Sequence, residues 1–238
     1  MPDDRFSLDF SERDIFMVIK GLEPGSPVME GFDRIRDLLV VNILTVLCCI
    51  PVVTIGPSLA AMYYCVLKMN RDEEGYASKM FFKAFRENLK AGIAGSFLLI
   101  LGFAFIIGDF WAIGILRDML KQNDLSNAES IQTVLNIITV MLVVFSFVFA
   151  VVITWFFPVI AKFEAKVSQN ISNSFKLGIS NFWRTLVMVV LNLVPFVISY
   201  YFLVLSPILF FFGLSVPAYF GAKLYDRIFG KLEGRKYA

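Results

Sequence analysis

The chain has 238 residues, of which 58% are hydrophobic, and its mean hydropathy is +0.71. Soluble domains usually contain roughly 45–50% apolar residues, so this composition indicates a membrane protein. The net charge of +2 excludes little, but the sequence contains no histidine. That absence removes the commonest metal ligand and the commonest general base near neutral pH. The three cysteines lie in apolar stretches and predict no disulfide framework.

The N-terminal leader, residues 1–34, is polar and rich in acidic side chains. It lacks the apolar core of a signal peptide, so we do not expect it to act as one. Residues 35–238 contain repeated apolar runs of roughly 20 residues or more, which predict a single helical membrane domain.

The first apolar run, residues 38–67, is too long for one ordinary span and short for two. As a straight helix it would extend for about 45 Å, against a hydrocarbon core of about 30 Å. Pro51 and Pro57 cannot donate backbone hydrogen bonds, so the sequence predicts a helix that is broken between them. We expect the break to be packed inside the bundle and the chain to cross the membrane once, over about residues 38–60. A hairpin that reverses at Ile55-Gly56, with six passes and the N-terminus inside, is the alternative that the sequence leaves open.

Four further apolar runs predict spans at about residues 91–116, 131–160, 185–204 and 207–222. The last two are separated by the turn signal Leu205-Ser206-Pro207. The expected fold is therefore all-α: a polytopic helical membrane protein with about five transmembrane helices.

Lysine and arginine set the expected orientation. Six of them lie between Lys68 and Lys90, four between Lys162 and Arg184, and five after Ala222, but only two between Arg117 and Ser130. Cytoplasmic loops of membrane proteins are enriched in these residues. We therefore expect the C-terminus in the cytoplasm and, after a single crossing, the N-terminus outside.

Two of the positively charged segments share a pattern. Residues 82–89 and 175–182 both read Phe-Lys-x4-Asn-apolar, and each precedes an apolar run. At helical spacing the apolar side chains of each segment share one face, which predicts two interfacial helices at the cytoplasmic surface. The match also indicates a repeat of span, surface helix and span. The residues that define the two helices are Phe82, Lys83, Phe85, Asn88, Phe175, Lys176 and Asn181.

Four motifs together suggest a family. They are Asn42-Ile43-Leu44, residues 51–61 (PVVTIGPSLAA), residues 71–75 (RDEEG) and residues 82–89 (FKAFRENL). In this combination, which is strongest over residues 32–95, the sequence resembles the YesL-like membrane proteins. These form a bacterial family, common in Gram-positive species, whose domain has no assigned function. The resemblance implies a multi-pass protein of the bacterial cell membrane. Because members are often encoded beside sugar ABC importers or polysaccharide-utilisation enzymes, it also implies a link to carbohydrate uptake.

The sequence lacks the motifs of several enzyme classes. It has no Gly-x-x-x-x-Gly-Lys phosphate loop, no zinc-ligand spacing and, without histidine, no Ser-His pair. The family supplies no catalytic residues either. We therefore expect no enzyme activity, no cofactor, no metal site and no nucleic-acid partner.

The candidate functional residues belong mainly to the helix break, because broken helices line substrate sites in some transporters. Gly56 would allow another backbone to approach, and the Thr54 or Ser58 hydroxyl would satisfy a freed carbonyl. Asp109 is a candidate because an acid at membrane depth is costly; the alternative is that it lies at the outer interface near Arg117. The full set is Asn42, Pro51, Thr54, Gly56, Pro57, Ser58 and Asp109.

The leading functional hypothesis is a non-enzymatic accessory component, linked to carbohydrate uptake through an ABC-type importer. Small residues at helical spacing, such as Ala104, Gly108 and Ala112, predict close helix packing. The expected partners are the lipid bilayer and importer subunits, and association with a second copy of the chain stays open. The alternative is a small transporter or channel with a site at the broken first helix.

Overall fold

The computed structural model describes residues 27–73, 75–122, 128–163, 165–201 and 211–232. Within these ranges the chain forms eight α-helices and one short 3-10 turn, Val52–Thr54, with no β-strand, which confirms the expected all-helical class. The helices are α1 Pro27–Cys49, α2 Ile55–Met69, α3 Ala77–Glu87, α4 Leu89–Gln122, α5 Ala128–Lys162, α6 Val167–Ser180, α7 Phe182–Tyr201 and α8 Ser215–Leu232.

Helix α2 is the centre of the bundle. Eleven of its fifteen residues are buried, and it packs against α1, α3, α4, α5 and α8. A helix that is apolar on all sides lies either in a protein core or in lipid, and here neighbouring helices cover most of it. Small residues such as Ala60 and Ala61, both fully buried, let those neighbours approach closely.

The expectation that the first apolar run continues in one direction as a kinked helix is wrong for the path of the chain. Arg34, near the start of α1, forms an ion pair with Asp72, just after α2. At the other end Thr54 Oγ1 donates a hydrogen bond to the carbonyl of Cys48 (2.6 Å). α1 and α2 are therefore the antiparallel legs of a hairpin, and residues 38–60 are divided between them.

Proline chemistry explains where the hairpin turns. α1 ends two residues before Pro51, and the 3-10 turn follows it directly. Pro57 lies in the first turn of α2, where a backbone N–H has no acceptor within the helix, so the proline starts this helix instead of breaking it.

Helices α4 and α5 form a long antiparallel hairpin of 34 and 35 residues, each about 50 Å in length. Gly102 lies against the ring of Phe149, and Gly95 lies against the ring of Phe156. In the apolar window of each helix only 17% of the residues are buried in the protein. Most of the surface of this hairpin is therefore open to surrounding lipid or to another protein.

Three segments of the described residues are long and apolar enough to cross a membrane: Val52–Met69, Leu89–Lys121 and Glu129–Lys162. A fourth is obtained if α6 and the first part of α7, which are bent by 107°, are counted together. The turn that we predicted at residues 205–207 lies outside the described residues.

Helices α3 and α6 occupy the two segments in which surface helices were predicted, and each ends at an asparagine. We call α3 with the start of α4 the first elbow, joined at Asn88. We call α6 with the start of α7 the second elbow, joined at Asn181. α6 packs back along the end of α5, since a Cβ placed on Gly178 would lie 2.3 Å from the side chain of Val151.

Candidate functional site

One side chain of α4 forms hydrogen bonds with backbone groups at the helix break. The fully buried Ser96 donates its hydroxyl to the carbonyl of Val53 (2.7 Å) and accepts the N–H of Gly56 (2.7 Å). The carbonyl of Val53 is the group that Pro57 cannot bond, because proline has no N–H. Sequence reasoning expected Thr54 or Ser58 in this role, and the structure gives it to Ser96.

Two glycines allow this contact. A Cβ added to Gly56 would lie 1.9 Å from the carbonyl oxygen of Gly92, and one added to Gly92 would lie 2.4 Å from the nitrogen of Pro57. Both collisions are with backbone, which cannot move aside as a flexible side chain can. The close approach expected at Gly56 is present, and Gly92 is its partner.

The remaining residues of the break bond locally. Thr54 Oγ1 lies within hydrogen-bonding distance of two carbonyls, those of Cys48 and Pro51, and Ser58 Oγ donates to the carbonyl of Thr54 (2.7 Å). The tip of the hairpin is exposed, with Val52 at 54% of its free surface. The expectation that the whole break is packed inside the bundle is therefore wrong, because only residues 56–58 are buried.

Asn42 acts at a distance from the break. It is fully buried in α1, and its Oδ1 accepts the backbone N–H groups of Leu214 (3.0 Å) and Ser215 (2.9 Å). Those N–H groups belong to the start of α8 and have no acceptor in their own helix. Asn42 therefore caps α8 from another helix and links the first and last described helices.

Asp109 does not join the other candidates. It lies 13 residues beyond Ser96 on α4, about 20 Å along the helix, and it is half-buried. Arg117, the partner considered for it, instead donates to Asn136 Oδ1 (3.0 Å) and Thr139 Oγ1 (2.9 Å) of α5.

A cavity of about 440 Å³ lies among α2, α4, α5, α7 and the residues before α8. Its wall is mostly apolar. Leu59 and Met62, one and two turns after the break, line it on one side, and Phe103 and Phe149 line it on the other. Four hydroxyl or amide groups also line it: Tyr63, Ser146, Thr154 and Asn192. The cavity can hold a small, largely apolar molecule and offer it a few hydrogen bonds.

Buried aromatic side chains close the bundle beside the cavity. The rings of Trp155 and Tyr225 meet edge to face at 5.0 Å. The phenol of Tyr225 donates to the carbonyl of Thr154 (2.7 Å), and the indole of Trp155 donates to Thr185 Oγ1 (2.9 Å). Both donors are therefore satisfied inside the bundle, as buried tyrosine and tryptophan side chains usually are.

Charged residues gather where α1 begins and α2 ends. Arg71 donates through Nε (2.6 Å) and Nη2 to Asp226 Oδ1, and both side chains are largely buried. Arg34 donates to the hydroxyl of Tyr219 (2.8 Å), which with Asp72 raises the pKa of the guanidinium. These bonds fix the loop after α2 against α8.

The hydrogen bond from Lys68 lowers the pKa of Glu73 in the same loop. The carboxylate therefore stays charged to a lower pH than usual.

In both elbows the face that packs on the protein is formed mainly by other residues than the predicted apolar face. α3 buries Ala77, Phe81 and Ala84, whereas Phe82 is 45% exposed and Phe85 packs only in part. Lys83 is exposed as expected.

α6 buries a stripe of small and polar residues, Asn170, Ser174 and Gly178. Phe175 and Lys176 point away from the core and are exposed. The apolar stripe read from the sequence is thus the outer face of α6. The small or polar residue at every fourth position from Asn170 to Gly178 is the pattern in the sequence that indicates the inner face.

Ser96, Gly92 and the pair Arg71–Asp226 were not predicted as contacts. Ser96 and Gly92 sit in an apolar run with other small residues, and nothing local distinguishes them. The pair joins residues 155 positions apart, and only the fold brings it together.

Comparison with known proteins gives one match. A family model described as a protein of unknown function, DUF624, matches residues 38–110, from the middle of α1 to the outer part of α4. No curated protein and no solved structure matches the chain. The match covers the hairpin from residue 38 onward, the first elbow and Ser96, so the chain is similar, over the region that forms its closed helix break, to an uncharacterised family of membrane proteins.

Proposed function

We propose that this chain is a non-enzymatic membrane protein that binds another membrane protein, as an accessory component of an ABC-type carbohydrate importer. The supporting observation is the outer face of α4. Ala104, Gly108 and Ala112 are all exposed, and a Cβ added to Gly108 would meet no atom within 4 Å. In lipid, helices associate through close packing at small residues. The chain does not use this face for its own fold within the described residues.

The carbohydrate part of the proposal comes from resemblance. The motifs over residues 32–95 resemble those of the YesL-like proteins, which are often encoded beside sugar importers. The DUF624 match over residues 38–110 overlaps this region.

The proposal is tested by purification in mild detergent from cells that are using the relevant sugar. An importer subunit should copurify with the wild-type chain and be lost with Gly108→Leu. Gly114→Leu is the matched control, because Gly114 is also exposed on α4 with no atom within 4 Å of an added Cβ, but lies on another face. Recovery of the wild-type chain alone, or an equal effect of the two variants, would count against the proposal.

We also propose that the hairpin begins and ends on the cytoplasmic side. The ion pair of Arg34 with Asp72 supports this, because it joins the start of α1 to the lysine-rich segment that follows α2. Our expectation of an external N-terminus rested on the single crossing and is replaced. An epitope before Phe6 should be detected only after permeabilisation. Single cysteines at Ser78, Ser172 and Ala238, in a chain without native cysteines, should be shielded from an impermeant thiol reagent in intact cells.

The exposed apolar side chains of α6 support its assignment as an interfacial helix. Phe175 is 41% exposed and Ile179 is 58% exposed, on the side opposite the buried stripe. Such a helix lies stably where its outer face meets lipid and its polar residues meet water.

The cavity beside α2 supports a second candidate, a small transporter. It is lined by residues that directly follow the helix break, and its few polar groups suit a molecule that is mostly apolar. Liposomes that contain the purified chain should show flux of such a solute, and Ala150→Phe, which fills the cavity wall, should reduce it. No flux with any sugar, ion or apolar solute tried would exclude transport of those solutes.

A further inference from the structure

A second concave surface lies between the two elbows, away from the cavity. This groove has a volume of about 920 Å³ and is lined by residues of α3, α4, α5 and α6. We call it the elbow groove. Its side chains come from both halves of the repeat that the sequence suggested.

Four lysines line the elbow groove: Lys83, Lys90, Lys162 and Lys166. Among the described lining residues Glu87 is the one acidic side chain, and it lies 4.0 Å from Lys83 on an exposed surface. An ion pair of this kind contributes little. The described lining residues of the groove therefore include more positive than negative side chains, which favours a bound anion.

The floor of the groove contains a polar atom without a partner. Asn170 is almost completely buried, donates its amide to the carbonyl of Ala165 (3.2 Å), and leaves its Oδ1 with no donor in the structure. An unpaired buried acceptor is costly. A ligand that carries a hydroxyl or ammonium group beside its anionic group would supply the missing donor after a small side-chain movement.

We propose that the elbow groove binds a phosphate ester. Lysines bind phosphate as point charges without a fixed geometry, which suits four flexible side chains around an open groove. The same chemistry is offered by the headgroup of an anionic phospholipid and by a soluble phosphate ester. Phosphatidylglycerol and glycerol phosphate both combine the phosphate with hydroxyl donors, so they are the matched probes of the two sources.

The test uses two double variants of the full chain with equal charge changes. Lys83→Gln with Lys166→Gln removes one lysine of α3 and one at the start of α6 from the groove. Lys79→Gln with Lys176→Gln removes one exposed lysine from each of the same helices outside the groove. Binding of phosphatidylglycerol to the purified chain is measured against phosphatidylcholine by native mass spectrometry. The groove variant should bind about thirtyfold more weakly, since each of the two lysines removed contributes roughly 1 kcal/mol near a lipid surface, and the control variant should bind within about twofold of wild type.

Glycerol phosphate and inorganic phosphate are then added as competitors. Displacement of the lipid by either identifies a soluble phosphate compound as a ligand of the same groove, and failure of both identifies the headgroup. Either result supports the phosphate site. Equal weakening by the two double variants would show unspecific surface charge and overturn it, as would equal binding of phosphatidylglycerol and phosphatidylcholine by the wild-type chain.

Discussion

The two elbows have the same hydrogen bonds at the asparagine that joins their helices, but the contacts of the following helix differ. Asn88 Nδ2 donates to the carbonyl of Ala84 (2.9 Å), and Asn181 Nδ2 donates to the carbonyl of Leu177 (3.2 Å). In each case the backbone N–H of the asparagine bonds the same carbonyl, at 2.9 Å and 3.1 Å. The asparagine thus bonds one carbonyl at the end of the helix through both its backbone N–H and its side chain.

The difference lies four residues after each asparagine. The carbonyl of Asn88 accepts the N–H of Gly92, and the carbonyl of Asn181 accepts the N–H of Thr185. Gly92 has no side chain, so the backbone of the helix break packs against it. Thr185 instead accepts the indole N–H of Trp155. The same corner is therefore followed by two different helix contacts. The first elbow packs through backbone, and the second packs through a side-chain hydrogen bond.

Replacing Gly92 of the first elbow should give the largest loss of stability among these substitutions. In Gly92→Ala the new Cβ would lie 2.4 Å from the nitrogen and 2.6 Å from the Cα of Pro57, both rigid backbone atoms. Overpacking typically costs about 1–3 kcal/mol and more where backbone must move, so we expect a cost of about 3 kcal/mol or more. The midpoint of thermal unfolding in detergent, followed by circular dichroism, measures it. Gly108→Ala is the control, because its Cβ would meet no atom within 4 Å, and an equal loss there would contradict the argument.

Replacing the threonine should break the second elbow with a smaller effect. Thr185→Val keeps the shape but removes the acceptor of the Trp155 indole and leaves that donor buried. An unsatisfied buried donor costs about 1–3 kcal/mol. Trp155→Phe in the valine background should then cost less than in wild type, because the orphaned donor is gone. Unfolding midpoints of the four chains measure this coupling. Additive losses would mean that the 2.9 Å hydrogen bond contributes nothing.

Replacing each asparagine tests whether the two corners are equivalent, because each substitution removes the same kind of side-chain hydrogen bond. Asn88→Ala and Asn181→Ala each lose the side-chain bond and keep the backbone bond, so we expect similar costs of about 1 kcal/mol. Asn173→Ala, at an exposed position of α6, is the control. A large difference between the two corner variants in their unfolding midpoints would show that the corners are not equivalent.

The sequence predicted features that depend on a few neighbouring residues better than features that depend on contacts between distant parts of the chain. The proline pair predicted a break, and apolar run lengths predicted long helices, because both follow from backbone chemistry and hydropathy over a few turns. The direction of the chain after Pro51 could not be read, since a kink and a reversal need the same prolines. The ion pair of Arg34 with Asp72 decides it.

The candidate site shows the same limit. Gly56 was expected to allow a close approach because glycine in an apolar run has few other uses. Its partner Gly92 and the hydroxyl of Ser96 lie 36 and 40 residues away, and their selection depends on how α4 crosses α2. The inner face of α6 was not predicted, because it is formed by small and polar residues, which pack helices together in lipid, and not by the apolar residues that define its other face.

The loop between α2 and the first elbow supplies the smallest expected effect, a dependence of stability on pH. Lys68 Nζ donates to Glu73 Oε2 (2.6 Å), and this bond lowers the pKa of the carboxyl. A carboxylate whose pKa is lower in the folded than in the unfolded chain stabilises the fold above its unfolded pKa. That contribution is lost as pH falls through the folded value. Because both side chains are partly exposed, we expect this contribution to stability to be less than about 1 kcal/mol.

Unfolding midpoints measured from neutral pH down to about pH 3, below the usual pKa of glutamate, should fall slightly more for wild type than for Glu73→Gln. Lys68→Met should reproduce the glutamine result, and adding it to Glu73→Gln should change nothing further in the pH dependence. A wild-type curve parallel to that of Glu73→Gln would mean that the pair does not hold the loop.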